Sequence, residues 1–167
     1  MEHIIPEQSL DLNIRPACLD DANAITRLIM MSFGPGRFAR TAERFREDPK
    51  RVLGPSLVAT RGSLLVGVVV THRLADNLGN HGLFLGPLAV RQVEQQRGTG
   101  ARLMQKIMEL TSEDWILLIG ELSFYGRLGF QPVPHAIELP TPTNPDKILY
   151  YSAHATIPGP MFHHGHD

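Results

Sequence analysis

Cysteine is almost missing from this 167-residue chain: Cys18 is the only one. No intrachain disulfide and no cysteine-based zinc site can be built, which fits a reducing compartment. Long apolar runs are lacking too, and none approaches the ~20 residues that cross a bilayer. The opening "MEHIIPEQSL" has neither the basic start nor the apolar core of a signal peptide. No charge of one sign dominates: 16 Lys and Arg face 17 Asp and Glu, a formal net charge of -1. The basic face expected of a nucleic-acid binder is therefore not advertised. Repeats and low-complexity blocks are absent. These gaps lead to the expectation of a cytoplasmic protein with no membrane and no nucleic-acid partner. What remains, 43% hydrophobic and 20% charged residues, suits one globular core.

Periodicity supplies the elements. "LNIR" (12–15) reads as a strand stopped by Pro16. Residues 21–33 carry apolar side chains at helical spacing behind two acids, with Asp20 as the expected N-cap, and "GPG" ends the helix. A more charged helix is expected in "RTAERFRE", closed by Pro49. "SLVAT" (56–60) and "LLVGVVVTHRL" (64–74) form a hairpin about Arg61-Gly62, and "ADNLGNHG" reads as loop. "LFLGPLAV" (83–90) and "WILLIG" (115–120) are apolar at nearly every position, as strands covered on both faces are. Between them, Leu103, Met104, Ile107 and Met108 share one side of an amphipathic helix over 100–110. Strand, helix, strand is a βαβ unit, so those two strands should be parallel. A short helix or turn is expected in "LSFYGRLGF", a proline-rich loop in "AIELPTPTNPDK" and a late strand in "ILYYSA". The expected fold is α/β: a single domain over 1–167 with a mixed sheet, helices on both faces, and flexible tails at 1–10 and 158–167.

Gly86-Pro87 interrupts the most strand-like stretch. Proline inside a buried strand is admissible at a bulge or where pairing has stopped. The strand should therefore splay from its parallel neighbour after that point, leaving main-chain groups at Leu88, Ala89 and Val90 in need of partners. An extended ligand with its own amides can lie there as a surrogate strand. Next comes "QQRGTGA", leading into a helix amino terminus that favours an anion. Gly98 and Gly100 let a phosphate approach the backbone. The run matches neither a dinucleotide fingerprint, since Leu103 stands where glycine is needed, nor a P-loop. A ligand with amides at one end and phosphates at the other is the chemical description of coenzyme A.

"LGPLAVRQVEQQRGTGARLM" resembles the strand-loop-helix motif of the GNAT (GCN5-related) N-acetyltransferases, [QR]-x-x-G-x-[GA], with Gln95, Gly98 and Gly100 in the defining positions. "LLIGELSFYGRLGF" is similar to the family's later strand and Y-x-x-x-G-[FY], filled by Tyr125, Gly129 and Phe130. "FGPGRFARTAERFRE" resembles a bacterial, YhbS-like branch. The resemblance implies a splayed central parallel pair and acetyl-CoA as cosubstrate, with no metal. It implies that Leu88 and Val90 pair with the pantetheine arm, and that the amides of Gln96, Arg97, Gly98, Thr99, Gly100 and Ala101 surround the pyrophosphate. Arg97 either adds a charge-assisted contact or is a solvated loop residue. Tyr125 matches the family's general acid. The acceptor implied is a small-molecule amine or a protein amino group; homodimers are common in the family, and this sequence carries no signature of one.

Many relatives carry a glutamate on the splayed strand, and "LFLGPLAV" has none. The base is left open among Glu121, His72, His81 and a water. Phe33, Arg37 and Glu121 are the candidate acceptor-binding residues. The histidines of "FHHGHD" read as a disordered end rather than a metal site. The rival to an N-acetyltransferase is an acyl-CoA-binding or sensor module that keeps the cleft without turnover.

Overall fold

Continuous and alternating apolar runs resolve into one eight-stranded sheet with helices on both faces. The computed structural model describes residues 11–165, without the side chains at 37–39; the expected flexible segment 1–10 falls outside the described residues. In chain order the elements are β1 (Leu12–Pro16), α1 (Ala22–Phe33), α2 (Thr41–Glu47), β2 (Leu57–Arg61), β3 (Leu64–Asp76), β4 (His81–Val90), α3 (Thr99–Leu110), β5 (Trp115–Ile119), α4 (Leu122–Tyr125), β6 (Gln131–Pro132), β7 (Ile148–Tyr151) and β8 (Phe162–His164). The sheet order is β1-β2-β3-β4-β5-β7-β6, with β8 pairing β3. Among the described strands only β4 and β5 run parallel, as the βαβ reading requires.

Side-chain alternation explains the unbroken apolar strands. Leu83 and Leu85 of β4 and Ile116 and Leu118 of β5 meet Leu103, Met104 and Ile107 of α3 on one face. Phe84 and Leu117 meet Phe45 of α2 on the other, where Leu28 and Ile29 of α1 also pack, over Val58, Val68 and Ala89.

Three local expectations change. Asp20 is not the cap of α1; the residue before the helix is Asp21, whose carboxylate makes no capping hydrogen bond to α1 and instead accepts from Arg15 Nη1 at 2.7 Å and Nη2 at 2.9 Å. That guanidinium holds the Asp21 carboxyl well below the usual carboxylate range. The loop expected over 75–82 shrinks to residues 77–80, because β3 and β4 both run further. Most consequentially, the carboxyl-terminal stretch is tied down as far as residue 165: β8 pairs Phe162, His163 and His164 with Asp76, Ala75 and Leu74.

Asp76 explains the last change. It is 1% exposed, and its carboxylate accepts from the N–H groups of Leu78 (2.9 Å), Asn80 (3.0 Å) and Gly159 (2.8 Å) and from Trp115 Nε1 (3.2 Å). Burial pushes its pKa up, but these donors, Gly159 first among them, outweigh that and hold it below the ordinary range. One carboxylate thus joins the β3–β4 turn, the start of β5 and the end of the chain. Asp76→Ala would strand several buried donors, so a loss of about 3 kcal/mol is expected in denaturant unfolding. A loss below about 1 kcal/mol would show that water replaces the carboxylate.

Candidate active site

Between β3 and β4, Thr71 faces Leu85 and Val69 faces Leu88, so Gly86 and Pro87, joined by a cis peptide, oppose Val70 alone. This is the expected bulge. The parallel ladder runs from Gly82–Trp115 to Leu85–Leu118 and stops there. Beyond it β4 stays on β3 through Val90–Gly67, while β5 stays on β7 through Ile119–Ile148. The two strands have parted, each keeping its outer partner.

The parting exposes specific groups. The Arg91 N–H donates to Val66 O at 2.8 Å. Because main-chain groups alternate sides along a strand, those of Leu88 and Val90 point away from β3, into the gap. Ala89, expected alongside them, turns its main chain to β3 and its side chain to the α1 layer.

At the carboxyl end of β4 the chain makes a turn at Gln92–Glu94 and enters α3. Gln96 (φ 67°) and Gly98 (φ 79°) both adopt left-handed backbone conformations, where glycine is at no steric disadvantage. Nothing lies within 4 Å of where a Gly98 Cβ would project. The first-turn N–H groups of α3 have no acceptor within the helix, so this open side offers donors to an anion. A Cβ at Gly100 would stand 3.7 Å from Leu88 and Val90 and 3.8 Å from Phe124, so helix start, splayed strand and α4 meet at one point.

Glu94, which sequence reasoning passed over, braces this turn. It is 1% exposed and accepts from Arg61 Nε at 2.7 Å and from Thr99 Oγ1 at 2.9 Å. Arg61, the strongest of these contacts, holds its carboxyl below the usual range. The Thr99 hydroxyl is therefore committed inward, leaving only its amide for a ligand. Arg97 lies 3.5 Å from the same carboxylate, so it is an anchored loop residue at the edge of the donor-rich turn.

A cleft of about 560 Å³ occupies the gap, lined by β4 at 84–88, β5 at Ile119, the start of α4, the end of α1, the start of α2 and the loop 141–147. Tyr125 lies in it. Its ring is half-buried, with Phe124 edge-on at 4.8 Å between centroids and Phe130 at 5.8 Å; no described residue hydrogen-bonds its hydroxyl. Burial pushes its pKa up to about 12, so the phenol keeps its proton across the neutral range. A Cβ at Gly120 would fall 2.2 Å from Tyr125 Cε2. Only glycine at the end of β5 leaves the ring where it is, and this residue too went unremarked in the sequence.

Of the acceptor candidates, Phe33 and Glu121 both line the cleft; the Arg37 side chain lies outside the described residues. Glu121 is paired with Lys147 Nζ at 2.6 Å. Thr41 and Thr141 clasp across the same wall, hydroxyl to hydroxyl at 2.5 Å, fixing the proline-rich loop to α2.

The histidines proposed as bases stand elsewhere. His81 begins β4 at the end opposite the splay, its N–H on Asp114 at 2.9 Å. His72 is 1% exposed beneath Phe45, 6.1 Å between ring centroids, outside the cleft lining, with neither ring nitrogen hydrogen-bonded to a described residue. Burial, reinforced by Arg51, lowers its pKa to about 4. The unfolded chain takes up that proton near pH 6.5 and the folded chain only near pH 4. The contribution of the neutral ring is thus complete above pH 6.5 and is lost as pH falls toward 4, about 3 kcal/mol in all. His72→Phe is expected to flatten the decline in denaturant midpoint between pH 7 and 4.5; an equally steep decline would place the proton uptake elsewhere.

Among the described residues no three potential ligands gather into a metal site, and no helix is long and apolar enough to cross a membrane. The splayed parallel pair with a glycine-started helix at its mouth defines the fold of the GNAT N-acetyltransferases. The chain matches YhbS of Escherichia coli, solved with CoA, at 21% identity and TM-score 0.77, over 98% of this chain and 93% of that one. YhbS names the branch that the 33–47 stretch resembles. A GNAT family acetyltransferase of Brucella melitensis, solved with acetyl-CoA, matches at 19% identity and TM-score 0.71, covering 93% and 96%. Naa50 of Arabidopsis thaliana, in complex with the bisubstrate analogue CoA-Ac-MVNAL, matches at 14% identity and TM-score 0.59, covering 86% and 99%. No protein-family model matches the sequence, and no curated protein does.

Proposed function

We propose that the protein is an acetyl-CoA-dependent N-acetyltransferase of the cytoplasm, acting on an amine. The observation that carries this reading is the end of the β4–β5 ladder at Leu85–Leu118 beside the open side of Gly98. The main chain of Leu88 and Val90 suits the amides of a pantetheine arm, and the start of α3 suits a pyrophosphate. Both are features of this chain, and structures of the same fold hold CoA or acetyl-CoA.

Acetyl-CoA supplies the acetyl group as a thioester, from which an attacking amine displaces the thiolate. Tyr125, whose hydroxyl no described residue hydrogen-bonds, donates the proton that the departing sulfur needs. Main-chain amides near Val90 polarise the carbonyl. Glu121 is tied to Lys147, so the acceptor enters as the free amine, the proton its nitrogen sheds on attack passes to water, and solvent returns a proton to the Tyr125 phenolate. Thiol release from acetyl-CoA across an amine panel, with calorimetric titration of acetyl-CoA alongside, tests the reading. Binding without thiol release would leave a coenzyme-binding module, and no binding would remove both.

A further inference from the structure

The acceptor end of the cleft, between the end of α1, the start of α2 and the 141–147 loop, contains three charged side chains among the described residues: Arg40, Glu121 and Lys147. Glu121 and Lys147 neutralise each other at 2.6 Å. Arg40 forms no ion pair with a described residue and, among the described residues, carries the one uncompensated charge on this wall. Its guanidinium lies over the Phe33 ring, 4.7 Å from Cζ to the centroid. Stacking of this kind orients the guanidinium through its flat face and leaves the N–H donors around its edge unspent. A guanidinium stacked through its face on a residue that lines the cleft, with no ion-pair partner among the described residues, is suited to a carboxylate or phosphate gripped through two parallel N–H···O bonds. An acceptor bearing only a second cation would meet like charge here and find the nearby carboxylate already occupied.

We infer that the acceptor carries an anionic group, a carboxylate or a phosphate, alongside the amine that is acetylated, and that Arg40 binds it. The inference rests on the acetyltransferase reading of the cleft. Matched acceptors isolate the charge: glycine against glycinamide, and glucosamine 6-phosphate against glucosamine, with concentrations counted as free amine. In at least one pair the anionic member is expected to show at least tenfold higher kcat/KM, and which pair responds tells carboxylate from phosphate. Arg40→Gln should bring that ratio close to one by raising the KM of the anionic member, and Arg40→Glu should invert it. Arg40 is exposed, so both variants should fold. A neutral member preferred in both pairs, or a preference that survives Arg40→Gln, would overturn the inference.

Calorimetric binding of the same four compounds to the CoA-loaded protein separates the two readings. Arg40-dependent binding of an anionic member without thiol release keeps the anion site and removes the transferase. Thiol release without charge preference does the opposite. Failure of both anionic members to bind would overturn the site.

Discussion

Gly98→Glu is expected to weaken acetyl-CoA binding by about a thousandfold while the protein stays folded. The space over Gly98 is open, with nothing within 4 Å of a projected Cβ, so a new side chain displaces no part of the protein. Its φ of 79° makes any non-glycine residue there strained by about 1 kcal/mol, a small fraction of a domain's stability. The carboxylate, by contrast, would stand where the proposed function puts the diphosphate. Two like charges 4 Å apart near a protein surface repel by about 4 kcal/mol, which is about three decades in affinity. Gly98→Ala is the control: it carries the backbone strain without the charge and should cost only a few-fold. Calorimetry on both variants decides the matter. If Gly98→Glu binds as the native protein does, the pyrophosphate sits elsewhere.

Tyr125→Phe should lower kcat by about a hundredfold, within the range of a lost general acid, with the acetyl-CoA dissociation constant unchanged within about twofold. The ring packs against Phe124 and Phe130 and phenylalanine repeats those contacts, so the loss reports the hydroxyl alone. With the phenol's pKa pushed up to about 12, Tyr125 is protonated at every pH up to about 11 and contributes no ionisation limb to the kcat profile below that. Gly120→Ala gives a second view of the same group: the hydroxyl is present, but the new Cβ would overlap the ring, so turnover should fall with cofactor affinity retained. Native turnover in Tyr125→Phe would remove the phenol from the chemistry.

The central βαβ unit was legible because its physics is local. Strands covered on both faces must be apolar throughout, a helix between them must be amphipathic, and Gly86-Pro87 cannot continue a ladder. The glycine turn was legible for the same reason. The carboxyl-terminal strand was not, since Phe162–His164 has too short a pattern to signal a strand. Its place is set by a hydrogen bond from Gly159 to Asp76, 83 positions away. That neither Asp20 nor Asp21 caps α1 with its side chain shows only once Arg15 is brought beside Asp21 and takes up its carboxylate. His72 looked like a base because a histidine in a strand declares its chemistry and not its depth. Glu94 and Gly120 were missed because each acts through a neighbour in another element: Arg61 and Tyr125. The glycine closing β5 five residues before Tyr125 was the one visible hint, since a strand end need not be glycine unless something leans on it.

The wedge between β4 and β5 has a further consequence. A sheet interior ordinarily protects every amide, yet here two strands at its centre turn unbonded edges toward each other. On the proposed function, a coenzyme in that gap would be a structural member as well as a reagent, stitching the two halves of the sheet as a missing strand would. Loading at a hundred times the dissociation constant would raise stability by about 2.7 kcal/mol. Slowed hydrogen exchange should be concentrated at Leu88 and Val90 and skip Ala89 between them, an every-other-residue footprint that a ligand seated on the surface would not leave.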